Sequence, residues 1–203
     1  MTQFSELSLG ELHRKILACT ECGLYRGRTK AVPGDGPENA AIIFIGEAPG
    51  WHEDQQGKPF VGPAGQYLDQ LLGSIRLKRE SVFITNVVKC RPPNNREPLP
   101  GEILACRKYL DLQIELLRPK MIVTLGRHSM ARCFPNESIS KVHGKARKVD
   151  GIVYFPMYHP AAALHQGSLR KIIEVDMLKI PQALAEAGRV MEKGSEPQQL
   201  SLL

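Results

Sequence analysis

Apolar residues fall into two kinds of pattern along this chain, and the two kinds alternate. Four short runs are almost continuously apolar and rich in β-branched or aromatic residues: AAIIFI (40–45), VFITNVV (82–88), MIVTLG (121–126) and IVYFPMY (152–158). None alternates cleanly between apolar and polar, so each reads as a strand covered on both faces, as in a parallel sheet. Between them the apolar residues recur at helical spacing. Leu7, Leu12, Ile16 and Leu17 mark a short amphipathic helix within 5–18, with Ser8 and Glu11 at capping-box spacing. Leu68, Leu71, Leu72 and Ile75 share a face within 64–77. A long helix over 100–119 ends at Pro119, a shorter one covers 126–134, and a last one over 168–188 is kinked or broken near Pro181. Strands alternating with helices predict an α/β fold, a three-layer α/β/α sandwich with a central four-stranded parallel sheet. Beyond about residue 185 the pattern fades into the polar GRVMEKGSEPQQLSLL. Residues 1–185 are therefore expected to form one domain, and 186–203 a mobile tail.

Polar residues cluster where each apolar run ends. The first is followed by GEAPGWHEDQQGKPFVG (46–62), the second by KCRPPNNREP after Asn86, the third by GRHS and the fourth by HPAAALHQGS. Open α/β sheets bind ligands outside the carboxyl ends of their strands, so four such ends point to one shared pocket. Seventeen residues is also far more than a strand-to-helix connection needs, and Trp51 and Phe60 within that loop argue against disorder. Each feature alone has a plainer reading. Glu47 can be a helix N-terminal acid, Asn86 a satisfied core amide, Phe60 a core ring, and His159 a strand terminator; only the combination shifts the balance.

The net charge of +6 suits a polyanionic partner, although many enzymes are as basic. The N-terminus lacks the basic head and apolar core of a secretory signal, and no apolar stretch approaches the ~18 residues needed to span a bilayer. A cytoplasmic, nucleoid-associated protein without a membrane partner is expected. Five cysteines in such a chain are not expected to form structural disulfides. Cys19 and Cys22 form a CxxC pair, while Cys90 and Cys106 are widely spaced. Four thiols suggest a tetrathiolate site. Zinc knuckles usually carry two tight pairs, whereas iron–sulfur clusters tolerate irregular spacing, and spacing alone leaves both open. Cys133 is left over as a buried free thiol.

GEAPG…ED…G.PFVG..G, NVVKCRPP and HPAAAL, in this order and together with Cys19, Cys22, Cys90 and Cys106, resemble the family 4 uracil-DNA glycosylases over roughly residues 10–185. The resemblance implies a [4Fe-4S] cluster on those four cysteines. It also implies excision of uracil from DNA after the base leaves the stack. Asn86 then suits the base reader, since one carboxamide can face both N3–H and O4. Phe60 would stack on the base, and Glu53 would guard the edge where thymine carries its methyl. Glu47 is the first choice for activating water, with Glu53 second. His159 would hydrogen-bond O2 of the departing uracil anion, and backbone N–H groups around Glu47 and Ala48 would add donors, with Gly46 and Gly50 allowing close approach. Leu164 would wedge into the gap left by the flipped base. Arg91, Arg96 and the basic hairpin carrying Lys145 and Arg147 are candidate phosphate contacts. A related type in the superfamily traps its substrate through a histidine in a basic loop. RPPNNREPLPGE has no histidine, so turnover is expected.

The last five residues, QLSLL, resemble the peptide with which bacterial repair proteins dock on the sliding clamp. Gln199, Leu200, Leu202 and Leu203 would make that contact, with Leu203 in place of the usual Phe. The enzyme is expected to be a monomer. The rival readings are a superfamily glycosylase for other deaminated bases, a non-catalytic cluster-bearing DNA-binding module, and a zinc-stapled nucleotide-binding protein.

Overall fold

The computed structural model describes residues 7–193, and side chains through Glu186. The elements follow the chain as α1 (Leu9–Ala18), β1 (Ile42–Gly46), α2 (Trp51–Gln56), α3 (Pro63–Ser74), β2 (Phe83–Asn86), α4 (Pro100–Leu117), β3 (Met121–Leu125), α5 (Arg127–Met130), α6 (Ile139–Val142), β4 (Arg147–Val149), β5 (Ile152–Met157), α7 (Pro160–His165) and α8 (Ser168–Lys193). Each predicted apolar run contains a strand. The first, second, third and fourth became β1, β2, β3 and β5, and all four run parallel, in the order β2-β1-β3-β5.

The sheet has a fifth strand that the apolar pattern did not announce. β4 pairs antiparallel with β5 at the edge, placing Arg147 opposite Tyr154 and Val149 opposite Ile152. Its three residues, RKV, are all exposed, so nothing in their hydropathy marks them as a strand. Backbone pairing to an existing edge is what makes them one.

The period-2 geometry of a strand divides the core between the two faces. On one face Ile43 and Ile45 of β1 pack with Leu12 and Ile16 of α1 and with Tyr109, Leu110 and Ile114 of α4. On the other, Ile42 and Phe44 meet Leu68, Leu71 and Leu72 of α3 and Ile173, Met177 and Ile180 of α8. The result is the expected three-layer sandwich. Helix ends follow local chemistry. Ser8 and Glu11 form the predicted capping box, and α4 stops at Arg118, in a left-handed conformation just before Pro119. The helix expected over 126–134 shrinks to the single turn α5, and Cys133 lies half-buried in the turn after it.

α8 runs through Pro181 as one helix. Residues on both sides of the proline explain why. Ile173, Met177, Ile180 and Ala183 are buried against the sheet, and their packing outweighs the backbone hydrogen bond that proline cannot donate. The expected boundary at residue 185 falls inside this helix, which continues to Lys193. The terminal peptide with Gln199, Leu200, Leu202 and Leu203 lies outside the described residues.

Candidate active site

All four parallel strands end on the same side of the sheet, so their following segments meet there. They enclose a cavity of about 540 Å³ lined by Glu47, Ala48, Gly50, Glu53, Phe60, Asn86, Arg96, Glu97, His159 and His165, among others. That volume lies in the range of small-molecule sites. Eight of the residues singled out from sequence, Glu47, Ala48, Gly50, Glu53, Phe60, Asn86, Arg96 and His159, line this one space.

Asn86 is the last residue of β2 and is 1% exposed. Its Oδ1 is buried without a hydrogen-bond partner among the described residues. Leaving such an acceptor unsatisfied costs about 1–3 kcal/mol, so the fold holds it there against that penalty. Gly46, paired with Asn86 across β1 and β2, makes the arrangement possible. A Cβ at position 46 would lie 2.4 Å from Asn86 Oδ1 and 2.6 Å from the Phe60 ring.

Phe60 is buried, and its backbone takes a left-handed φ of 51°, unfavourable for a bulky residue. Arg79 holds this conformation: its guanidinium donates to the carbonyl oxygens of Phe60, at 3.0 Å, and Pro59, and pairs with Asp69. The Phe60 ring stacks on the His159 imidazole, with centroids 5.5 Å apart and planes inclined by 28°.

His159 caps α7. Its Nδ1 accepts the backbone N–H of Ala161 at 3.1 Å. A ring nitrogen that accepts cannot carry the proton, so the neutral ring must hold it on Nε2. Burial drives the pKa down to about 4, opposed by the charge of Glu53. His159 is therefore a neutral N–H donor at physiological pH. Gly126 makes room behind it: at φ +91° it adopts a conformation that side-chain-bearing residues avoid, and a Cβ there would come within 3.2 Å of the His159 Cβ.

The two glutamates of the loop differ sharply. Glu53 accepts three backbone N–H groups, from Gly50 at 3.1 Å, Val61 at 2.9 Å and Gly62 at 2.8 Å. It ties the start of α2 to the start of α3 and so closes the loop on itself. The Glu47 carboxylate accepts no hydrogen bond among the described residues, while its backbone carbonyl accepts the Val88 N–H at 3.1 Å. Burial raises its pKa and nearby Glu97 adds to the rise, while His128 and Arg127 oppose it. The His128 Nε2 stands 3.8 Å from the Glu47 carboxylate and 3.4 Å from that of Glu97, which also pairs with Arg127. His128 and Glu97 were not among the sequence candidates. The GRHS at a strand end was the available signal for His128.

The proposed DNA contacts are more scattered. Leu164 is 49% exposed on α7, the helix whose Ala161 and His165 line the cavity. Arg91 does not line it and donates to Asn95 Oδ1 at 2.7 Å. Arg96 does line it, but its guanidinium is held in a two-pronged pair with Glu102. Lys145 and Arg147 lie on or just before β4, away from the cavity lining. Arg147 pairs with Glu137 and stacks over Phe134.

The four cysteines lie at a second, smaller cavity. Cys19, Cys22, Cys90 and Cys106 line it together with Arg28, Lys89 and Tyr109. Arg28 Nη1 donates to Cys90 Sγ at 3.1 Å, and the Lys89 backbone N–H to Cys106 Sγ at 3.3 Å. Burial raises the thiol pKa values of both Cys90 and Cys106, the latter to about 11. Among the described residues no three His, Cys, Asp or Glu side chains converge tightly enough for a single metal ion. Four soft donors around one cavity, two of them with N–H groups aimed at sulfur, nevertheless match the donor set of a cluster held by four thiolates.

Comparisons with known proteins bear on what this arrangement belongs to. The family model described as the uracil DNA glycosylase superfamily matches residues 33–178. A type-4 uracil-DNA glycosylase of Sulfurisphaera tokodaii is 52% identical over 183 residues, 85% of this chain and 83% of that protein. Two proteins of Pyrobaculum aerophilum separate the types. The type-4 enzyme is 41% identical over 84% of this chain and 92% of its own length. The type-5 enzyme is 29% identical over 86% of this chain and 83% of its own. With a superfamily match spanning the sheet and the cavity, and half of all residues shared with a type-4 enzyme across most of both chains, this chain belongs to the uracil DNA glycosylase superfamily, in its type-4 branch.

Proposed function

We propose that the protein hydrolyses the N-glycosidic bond of uracil in DNA, releasing the free base and leaving an abasic site for repair. The orphaned Oδ1 of buried Asn86 carries this reading. An acceptor kept without a protein partner at the floor of a nucleobase-sized cavity calls for a donor brought by the ligand. Uracil offers N3–H to Asn86 Oδ1, and its O4 accepts from the same carboxamide. Cytosine has an acceptor at position 3 and a donor at position 4, so it mismatches an amide in this orientation.

Phe60 lies flat against the extruded base, with its peptide held by Arg79. Cleavage builds negative charge on the departing uracil, and His159 Nε2–H donates to O2 as that charge appears. The neutral ring still donates through Nε2–H, because Nδ1 is the nitrogen that accepts from Ala161. Stabilising developing charge is usually the largest catalytic contribution. Glu47 orients the attacking water and takes its proton. Its raised pKa brings it closer to neutrality, where a general base works best. Glu53 keeps the loop shaped for these roles and stands at the base edge. Leu164 fills the space the base vacates, and Arg91, Lys145 and Arg147 contribute to phosphate attraction.

Cys19, Cys22, Cys90 and Cys106 would hold a [4Fe-4S] cluster, which when bound ties the N-terminal segment to α4 and to the segment after β2. Beyond the described residues, Gln199, Leu200, Leu202 and Leu203 would dock on a sliding clamp. Removing the last five residues should then abolish clamp pull-down and leave excision from a short oligonucleotide unchanged. The main test is incubation of freshly purified protein with oligonucleotides containing uracil, hypoxanthine or xanthine. We expect alkali-labile sites at uracil. Cleavage only at another base, or at none, overturns the reading.

A further inference from the structure

Lys89 is a buried cation that the chemistry above does not use. It is 1% exposed and forms no ion pair among the described residues. Its Nζ lies 2.7 Å from Thr85 Oγ1, 2.8 Å from the Asn86 carbonyl oxygen and 2.6 Å from Gln113 Oε1. All three act as acceptors. The Thr85 hydroxyl donates to the Pro33 carbonyl at 2.9 Å, and Gln113 Nε2 donates to the same carbonyl at 2.7 Å, which turns Oε1 toward the lysine. Three acceptors around one amine match the three N–H bonds of an ammonium group. A buried ammonium needs a counter-charge. The cysteines supply one once they are deprotonated to hold a cluster: Lys89 lines their cavity, and its own backbone N–H donates to Cys106 Sγ.

One residue thus joins the cysteine site to the backbone that carries Asn86. Its main chain holds a cysteine sulfur, and its side chain holds the peptide of Asn86, whose amide faces the base cavity. We infer that Lys89 is a positioning residue that couples the tetrathiolate site to the base reader, its ammonium answering the charge of the thiolates while fixing the main chain that aims Asn86. The inference rests on the proposed roles of Asn86 and of the four cysteines. It explains why a chain would place a lysine beside a metal-ligating cysteine and then bury it among neutral acceptors.

Lys89→Met keeps the length and removes the charge and its three hydrogen bonds. Gln113→Leu removes one of the three acceptors from α4 without altering either cavity. Both are compared with the parent protein and with Asn86→Leu for binding of radiolabelled free uracil by equilibrium dialysis, iron and sulfide per chain, and the midpoint potential of the bound cluster. With iron content unchanged, Lys89→Met should weaken uracil binding about tenfold, the loss of one well-placed hydrogen bond. It should also shift the potential to more negative values, because a nearby positive charge favours the reduced cluster. Gln113→Leu should move both readouts the same way by less. A folded Lys89→Met protein with full iron and unchanged uracil binding and potential overturns the coupling. If Lys89→Met does not fold, a folded Gln113→Leu with both readouts unchanged overturns it equally. Asn86→Leu separates the two ideas: if it retains uracil binding, the reader assignment fails, and if it alone loses binding, the reader stands and the coupling fails.

Discussion

The two cavities of this protein treat their polar groups in opposite ways. Around the cysteines, donors and acceptors are matched: Arg28 reaches Cys90 and the carbonyls of Leu17 and Cys19, and Lys89 finds three acceptors. In the cavity at the strand ends, among the described residues, Asn86 Oδ1 is buried without a hydrogen-bond partner and the Glu47 carboxylate accepts no hydrogen bond. Buried polar groups are normally satisfied, so the contrast separates a region whose donors and acceptors fix the four cysteines in place from one that leaves an acceptor open to a ligand. The same contrast recurs within a single loop. Glu53 takes three backbone N–H groups and works for the fold, whereas Glu47, six residues earlier, is left free with a raised pKa.

That contrast can be broken most sharply at His159. Replacing it with Ala should lower kcat by roughly 10²–10³-fold if Nε2–H is the donor to the departing base, measured in single-turnover excision. Near-normal turnover would place the leaving-group donor elsewhere. Glu47→Gln should lower the rate about 10²-fold and remove the acid limb of the pH–rate profile. The sign follows from the shift. A carboxyl whose pKa is raised by burial must lose its proton to act, so activity rises with pH through that raised value in the parent protein and loses this step in the variant. The same shift predicts the opposite effect on stability. Ionised Glu47 disfavours the folded state as pH rises from the ordinary carboxylate value through its raised folded pKa, so Glu47→Gln should be the more stable protein at pH 7, with the gain gone below pH 4.5. Glu53→Gln should give the smallest effect on the chemical step and the reverse effect on stability. Losing charge-assisted bonds to three N–H groups should destabilise by about 1–3 kcal/mol, read as a lower Tm, with KM rising more than kcat falls. If Glu53→Gln instead matches Glu47→Gln in its pH profile, the division between the two acids is wrong.

Much of this is legible in the sequence. The continuous apolar runs marked the four parallel strands, and the polar residues at their ends marked the residues that converge. β4 was not legible, because RKV has no hydropathic signature and becomes a strand only by pairing with β5. Nor was the continuity of α8 through Pro181, since local propensity opposes it and only the buried residues on both sides support it. Among the basic residues, sequence could count charges but not their partners. Arg96 and Arg147 look free in the sequence and are paired with Glu102 and Glu137 in the fold.

What the sequence by itself determined is the strand set, the shared end where their loops meet, and the chemical types present there, because hydropathy period and residue identity are local properties. Only the tertiary structure decided which groups are satisfied. Whether the Glu47 or the Glu53 carboxylate is free, which nitrogen of His159 carries its proton, and that Lys89 links the cysteine cavity to the peptide of Asn86 all depend on partners distant in the chain or brought close by a turn. Hydrogen bonding and burial are set by where such groups meet, and no pattern along one segment records that.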